Sequence, residues 1–392
     1  MKNLRWVFSA LMVFFVCISV SAKKGDTEGA VGTENIIEDV NVLPNTSVKD
    51  QARTSTCWAF ATLSLFESEL LRLGKPEVDL SEMFVVWHTY SEKAQKHVRL
   101  QGNSNFSAGG AFHDVTNMIR KYGIVPESVY DGLNNGNAWH VHGEMDKVLK
   151  KYIEGVVANK NTCLSTDWHE GIESTLDSYL GETPLTFEYN GAEYTPQAFA
   201  SEYIGLDMDD YVEISSYTHH PFYSNFILEV PDNWSWDEVY NVPVNEMQEI
   251  IDNSLENGYT VAWASDISEK GFSTRKLGMA VVNDEAIQGN FQSNQDGTVQ
   301  TPEGFSETPI SQEMRQFAFD NYQTTDDHGM HIVGLANDQN GNEFYKIKNS
   351  WGNYNKFDGF FYTTKEYVNY KTTCIMVHKD AIPKNIREKL NL

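Results

Sequence analysis

Two rhythms of apolar residues divide the chain. Ala59, Phe60, Leu63, Phe66, Leu70 and Leu71 fall three or four positions apart and make one apolar stripe. That spacing predicts a helix opening at Cys57 and stopping before Gly74 and Pro76. A second helix is predicted after Asp79-Leu80-Ser81, and a third from about Phe112 to Tyr122, closed by Gly123. The later rhythm differs. Tyr259–Ala264, His331–Ala336 and Phe344–Lys348 are rich in β-branched and aromatic residues and read as strands. Asn337–Asn342 between the last two is a good hairpin turn. Helices early and strands late predict an α+β fold. Between them, residues 136–247 are mixed and aromatic-rich, with no linker composition and no internal repeat.

The N-terminus follows another logic. Lys2 and Arg5 precede an apolar run from Trp6 to Val20 that ends in Val20-Ser21-Ala22. A basic head, a short apolar stretch and small residues before the cut describe a secretory signal, with cleavage expected after Ala22 and the mature protein secreted or periplasmic. The run is shorter than the ~20 residues a membrane span needs. Residues 23–44 are polar and acidic and are expected to form a loose leader.

Composition sharpens this picture. The 392 residues carry 30 Lys+Arg against 55 Asp+Glu, a net charge of −25 that becomes −27 once the signal is removed. That excess argues against a nucleic-acid partner, whose binding needs clustered Lys and Arg. Four Cys, at 17, 57, 163 and 374, exclude a disulfide scaffold. Three remain after cleavage, and an unpaired thiol in an exported protein can be a reactive one.

Cys57 is the candidate for that role. It opens the first helix, where unpaired N–H groups and the positive end of the dipole favour a thiolate. A nucleophilic thiol needs a base, and the base needs an orienting acceptor. His328 stands just before a predicted strand and Asn349 at the end of the next, so a hairpin can join them across 21 positions. Gln51, six residues before Cys57, can offer an amide N–H to a developing oxyanion. Singly, each has an ordinary structural reading: a buried small thiol, a packed His, a turn Asn. Their conjunction is what points to chemistry.

These residues carry a resemblance. Gln51 with Cys57-Trp58-Ala59-Phe60, Asp327-His328-Gly329 and Lys348-Asn349-Ser350-Trp351-Gly352 resemble the three signature blocks of papain-like cysteine peptidases, in the same order. Ser107-Ala108-Gly109-Gly110 is similar to the family's substrate-cleft segment, where glycine backbone at Gly109 and Gly110 pairs with bound peptide. Glu67–Arg72, Leu80–Met83 and Tyr217–Phe222 resemble the bleomycin hydrolase and aminopeptidase C branch, as does the long insertion. The resemblance implies a two-lobed fold with a helical lobe at 45–135, an inserted region at 136–247 and a β-rich lobe at 248–392. It implies Cys57 as nucleophile, His328 as base and then acid, Asn349 as the imidazole's anchor and Gln51 in the oxyanion hole. Trp351 would shield the His–Asn contact beside the substrate. No cofactor and no metal are implied; the partners are peptide substrates and, in this branch, further copies of the chain. Removal of N-terminal residues is the expected activity. An endopeptidase, a dipeptide-releasing enzyme and an inactive peptide-binding homologue are the alternatives.

Departures qualify the match. The papain-type pattern Cys-Gly-Ser/Ala before the nucleophile is here Thr54-Ser55-Thr56. The 271 positions from Cys57 to His328 exceed the usual about 130–150, a difference the insertion supplies. The last residues, Arg387–Leu392, lack the usual sequence of the branch's cleft-blocking C-terminal arm, which puts exopeptidase specificity and a hexameric ring in doubt. His140, His142 and Glu144 lack a third metal ligand at a recognisable spacing, and His219-His220 reads as packing or turn. Asp338–Asn342 lacks a calcium loop's terminal Glu. His331, three residues from His328, is expected to face the other way and to be structural. Cys163 and Cys374 pair only if geometry allows.

Overall fold

The computed structural model describes residues 36–134, 136–160, 163–282, 298–302 and 304–392, with backbone alone at 292–293. The expected signal and most of the expected leader, residues 1–35, lie outside the described residues.

The three early helices form where the apolar spacing puts them: α1 (Cys57–Arg72), α2 (Glu82–Arg99) and α3 (Phe112–Tyr122). Ser81 caps α2 by accepting the Phe84 N–H at 3.1 Å, with Glu82 in the first turn and Lys96 and Arg99 in the last, each sign suited to its end of the dipole. Asp114 accepts the Ala111 N–H at 2.8 Å to start α3. Gly123 ends it at φ 81°, and a Cβ there would stand 2.2 Å from the Pro196 backbone. Helices α4 (Gly143–Val157) and α5 (Asp167–Leu180) pack on α2.

The second half is organised on one sheet. Its strands are β1 (Glu38–Val42), β2 (Tyr211–Ser215), β3 (Asn225–Ile227), β4 (Glu238–Asn241), β5 (Val261–Ser265), β6 (Phe272–Ser273), β7 (Met279–Ala280), β8 (His328–Asn337), β9 (Glu343–Lys348), β10 (Phe360–Thr364) and β11 (Thr372–His378). Their order is β3-β4-β2-β11-β5-β8-β9-β10-β7-β6, with β1 also on β8. Every residue of β5 is buried, because α1 packs on it and so does α6 (Val244–Glu256). Two apolar cores result. One, around Leu63, Phe66, Phe84 and Phe112, binds α1 to the other helices. The other, around Trp263, Tyr345, Phe361 and Tyr367, fills the space between the sheet and α6.

One expectation is corrected here. Residues 38–42 are not loose leader: they pair antiparallel with β8, because long β8 bulges between Ile332 and Gly334 and leaves its far half without β5. Within the region 136–247 expected as an insertion, β2, β3 and β4 extend the main sheet through β11.

A buried charge network ties the strand-like segment before Cys57 to two helices. Lys49 Nζ lies 2.8 Å from Glu67, 2.5 Å from Asp79 and 2.8 Å from Glu82. Glu67, on α1, also accepts from Thr46 Oγ1 and the Leu80 N–H. Burial opposes the charge on Lys49, but the three carboxylates more than offset this and hold its pKa well above the ordinary value. The carboxyls behave in the opposite sense. Burial, with Glu67 and Asp79 adding repulsion against the pull of Lys49, lifts Glu82 to about 7. Burial and the Glu82 charge lift Glu127 to about 8.

A carboxyl whose folded pKa is raised contributes stability at acid pH and loses it as pH rises through the folded value. Glu127→Gln should therefore be near neutral at pH 5 and stabilising at pH 9 by on the order of 1–2 kcal/mol. Denaturant unfolding of both proteins at the two pH values checks this; a difference independent of pH would refute it.

Candidate active site

The site begins with a strained turn. Between Gln51 and Cys57 the chain reverses through Ala52 at φ 49° and Ser55 at φ 56°. Ser55 stands where the family pattern has glycine, and a side chain in this left-handed region costs about 1–2 kcal/mol. The two threonines on either side hold the turn from within, Thr54 Oγ1 and Thr56 Oγ1 being 2.6 Å apart and buried. Cys57 then opens α1 with its thiol beside the free N–H groups of the first turn.

A second segment is stitched to the first. The Gln51 N–H donates to Ser350 O at 2.9 Å, and the Gly352 N–H to Lys49 O at 2.9 Å. Ser350 Oγ donates to Gln51 Oε1 at 2.7 Å. With its oxygen engaged, the Gln51 amide keeps its N–H₂ group for another acceptor.

His328 arrives from the sheet. It begins β8 and pairs with Ser265 of β5. The next residue must be small: a Cβ on Gly329 would lie 3.3 Å from Cys57 O and from Trp58 Cα. Glycine lets β8 run against the first turn of α1, so that His328 and Cys57 line one cleft. On the neighbouring strand, β9 delivers Asn349. Its Oδ1 accepts from His328 Nε2 at 2.8 Å and from the Ser350 N–H at 2.8 Å. The backbone bond fixes which end of the amide faces the ring, so Nε2 carries the hydrogen and Nδ1 is left as a base. Trp351 stacks on the imidazole, centroids 4.8 Å apart at 24°.

Burial shapes the electrostatics. It pushes the Cys57 thiol up to about 12, against the favourable pull of the Gly329 N–H. It also pushes His328 down to about 4, against the Asn349 hydrogen bond. Each shift is the cost of one charge standing alone. Moving the proton from Sγ to the imidazole creates both charges together, and their attraction and the α1 dipole offset the cost. The arrangement can deliver a sulfur nucleophile and return its proton to a leaving group.

The cleft, with the solvent space open to it, spans about 480 Å³. Gly110 lines it, as expected of a substrate-facing glycine, whereas Gly109 faces the Asp232 carboxylate. Trp351 lies over His328 and is not among the residues lining the cleft. The sequence reading missed Glu213, Val230, Asp232 and Asp326, which also line it. Periodicity could not reveal them, because 213–232 are brought there by strand pairing at the far edge of the sheet.

The remaining candidates lie elsewhere. His331 Nδ1 meets Ser64 Oγ of α1 at 2.9 Å and is held neutral by burial and by Lys348. The three described cysteines are free, Cys163 exposed and Cys374 buried in the cleft wall, so these two do not pair. Asp338 accepts the Asn340 and Asn342 N–H groups and closes the hairpin turn. His140 and His142 stack edge-on at 5.7 Å. Among the described residues only His219, His220 and Glu229 gather three potential metal-ligating atoms, with each imidazole about 3 Å from one carboxylate oxygen.

Residues 22–392 match the model of the Peptidase C1-like family. The chain belongs to that family. It is a papain-like cysteine-type peptidase of the aminopeptidase C branch, with an α+β fold. Aminopeptidase G of Lactobacillus delbrueckii subsp. lactis is 22% identical, over 89% of this chain and 84% of that protein. Aminopeptidase C of Streptococcus thermophilus is 21% identical, over 94% and 91%. The crystal structure of pepW from Lactobacillus rhamnosis HN001 superposes with a TM-score of 0.68 at 19% identity, covering 90% of this chain and 84% of that one.

Because burial holds His328 low, this peptidase's kcat/KM should fall on the acid side with a limb near pH 4. Trp351→Ala admits water to the ring and should move that limb up toward the ordinary ~6.5. Full pH–rate profiles of both proteins check this; coincident limbs would sink the shielding role.

Proposed function

We propose that the chain is an exported aminopeptidase working through a Cys57–His328–Asn349 acyl-enzyme mechanism of the bleomycin hydrolase type. The observation that carries the mechanism is the 2.8 Å bond from His328 Nε2 to Asn349 Oδ1, in a ring that shares its cleft with Cys57. The Sγ–H proton passes to His328 Nδ1 as sulfur attacks the scissile carbonyl carbon. The carbonyl oxygen takes the negative charge, facing the Gln51 amide N–H and the Cys57 backbone N–H. The C–N bond breaks as His328 returns the proton to the leaving amine. Water, deprotonated by the same imidazole, then hydrolyses the thioester. The exopeptidase reading is supported by relatives that are aminopeptidases C and G.

Cys57→Ala should abolish turnover of aminoacyl-coumarin substrates with little change in melting temperature, and Gln51→Ala should lower kcat by about 10²–10³-fold. The wild type should cleave a free-amine substrate and spare its N-acetylated twin. Equal rates on the twins would exclude an aminopeptidase, and turnover retained by Cys57→Ala would exclude the mechanism.

Export rests on the Lys2–Ala22 pattern. Sequencing the mature N-terminus of the protein from its native cells should read from Lys23; a chain beginning at Met1 or Lys2 would refute it.

A further inference from the structure

One wall of the cleft is an internal segment of the chain. Leu228, Val230, Asp232 and Asn233, between β3 and β4, line it together with Cys57 and His328. The segment is held on both flanks. Asn233 Nδ2 donates to Leu228 O at 3.1 Å and to Asp237 O at 2.9 Å. Trp234 Nε1 donates to Asp114 Oδ2 at 2.8 Å, and Ser235 Oγ meets His113 Nε2 at 2.9 Å. It is a fixed wall and needs no closing motion.

Asp232 occupies the place an extended peptide would need. A Cβ built on Gly109 would stand 2.0 Å from Asp232 Oδ2, so the carboxylate lies directly over that glycine. A peptide strand reaching the nucleophile along Gly110 meets this carboxylate at the next residue. By contrast the helix α7 (Lys384–Leu390) buries Ile386 and Leu390 in the core behind the sheet, and none of its residues lines the cleft.

The carboxylates of the cleft differ in how far they are compensated. Asp232 accepts from Asn105 Nδ2 at 3.1 Å and feels the more distant charge of Lys93. Asp326, two residues before His328, also lines the cleft and, among the described residues, accepts a 3.4 Å hydrogen bond from Thr373 Oγ1. Glu213 is already matched by His113, 3.0 Å away and held protonated to about 9 by that carboxylate despite burial. No Lys or Arg is among the residues lining the cleft. Lys93, behind the glycines, donates to the Ser107 and Gly109 carbonyls. Burial, then the charge of Asp232, pushes Asp326 up to about 7.

The geometry points to Asp232, with Asp326, as the receptor for the α-ammonium of the peptide substrate, the 228–237 segment being the barrier that makes the cleft an exopeptidase site. The ligand class is any peptide with an unblocked N-terminus. This rests on the aminopeptidase reading and deepens it: no Lys or Arg shares the cleft lining with this pair of carboxylates. It also gives the substrate a second effect, since an ammonium there removes the negative field that opposes the Cys57 thiolate.

The test compares free-amine and N-acetylated aminoacyl-coumarin substrates on wild type, Asp232→Asn, Asp326→Asn and, as a charge control on the same stretch, Glu238→Gln. Active fractions are normalised with a thiol-directed epoxide. Asp232→Asn should lower kcat/KM for the free amine about 10–100-fold, chiefly through KM, as loss of a charged hydrogen bond does. It should leave the acetylated twin unchanged or faster, and Glu238→Gln should match wild type. A wild type that does not discriminate the twins defeats the aminopeptidase reading itself. A wild type that discriminates, with Asp232→Asn discriminating equally, overturns the present inference and leaves that reading standing. Should Asp232→Asn not fold, an unchanged selectivity in Asp326→Asn overturns it instead.

Discussion

The site depends on one registration, that of β8 with β9. His331 pairs with Lys348 in that ladder, which sets His328 and Asn349 on adjacent strand ends close enough for a 2.8 Å bond. A slip of one residue would turn each side chain to the opposite face and separate the pair. Three interactions guard the register. The bulge after Ile332 lets β8 serve β5 and β1 on one edge. Gly329 admits the first turn of α1. Ser350 bonds both to Asn349 Oδ1 and to Gln51. Cys57, His328 and Gln51 are thus located by backbone, and side-chain freedom decides little.

The acid excess of the chain acts in two different ways inside the fold. Around Lys49 the carboxylates are neutralised and structural, binding α1 and α2 to the segment that carries Gln51. In the cleft Glu213 is matched by His113, while Asp232 and Asp326 have no Lys or Arg beside them among the lining residues. The same residue type is thereby a staple in one place and a receptor in the other, because desolvated charge is tolerable only with a partner, whether built in or brought by a ligand.

Legibility followed range. The helix at Cys57–Arg72 and the hairpin around Asn337–Asn342 were readable because their periodicity and turn chemistry are local. Cys57, His328, Asn349 and Gln51 stood out as one candidate set because their residue types stand at element boundaries, where side chains are free to act. Residues 38–42 were misjudged as loose, since a strand at a sheet edge earns its pairing from a distant partner. Trp351, expected to shield the His–Asn contact, stacks on the imidazole.

What the chain determined by itself was the set of candidate reacting groups and the elements bearing them, for these follow from side-chain chemistry and from spacings of a few residues. What only the tertiary structure decided was the shape of the cleft's far end. Asp232 lies 175 positions from Cys57 and Asp326 a further 94 along the chain, and no local pattern links them. They meet because β2 joins the sheet through β11 while β8 runs against α1, and a shared cleft exists only once those pairings have formed.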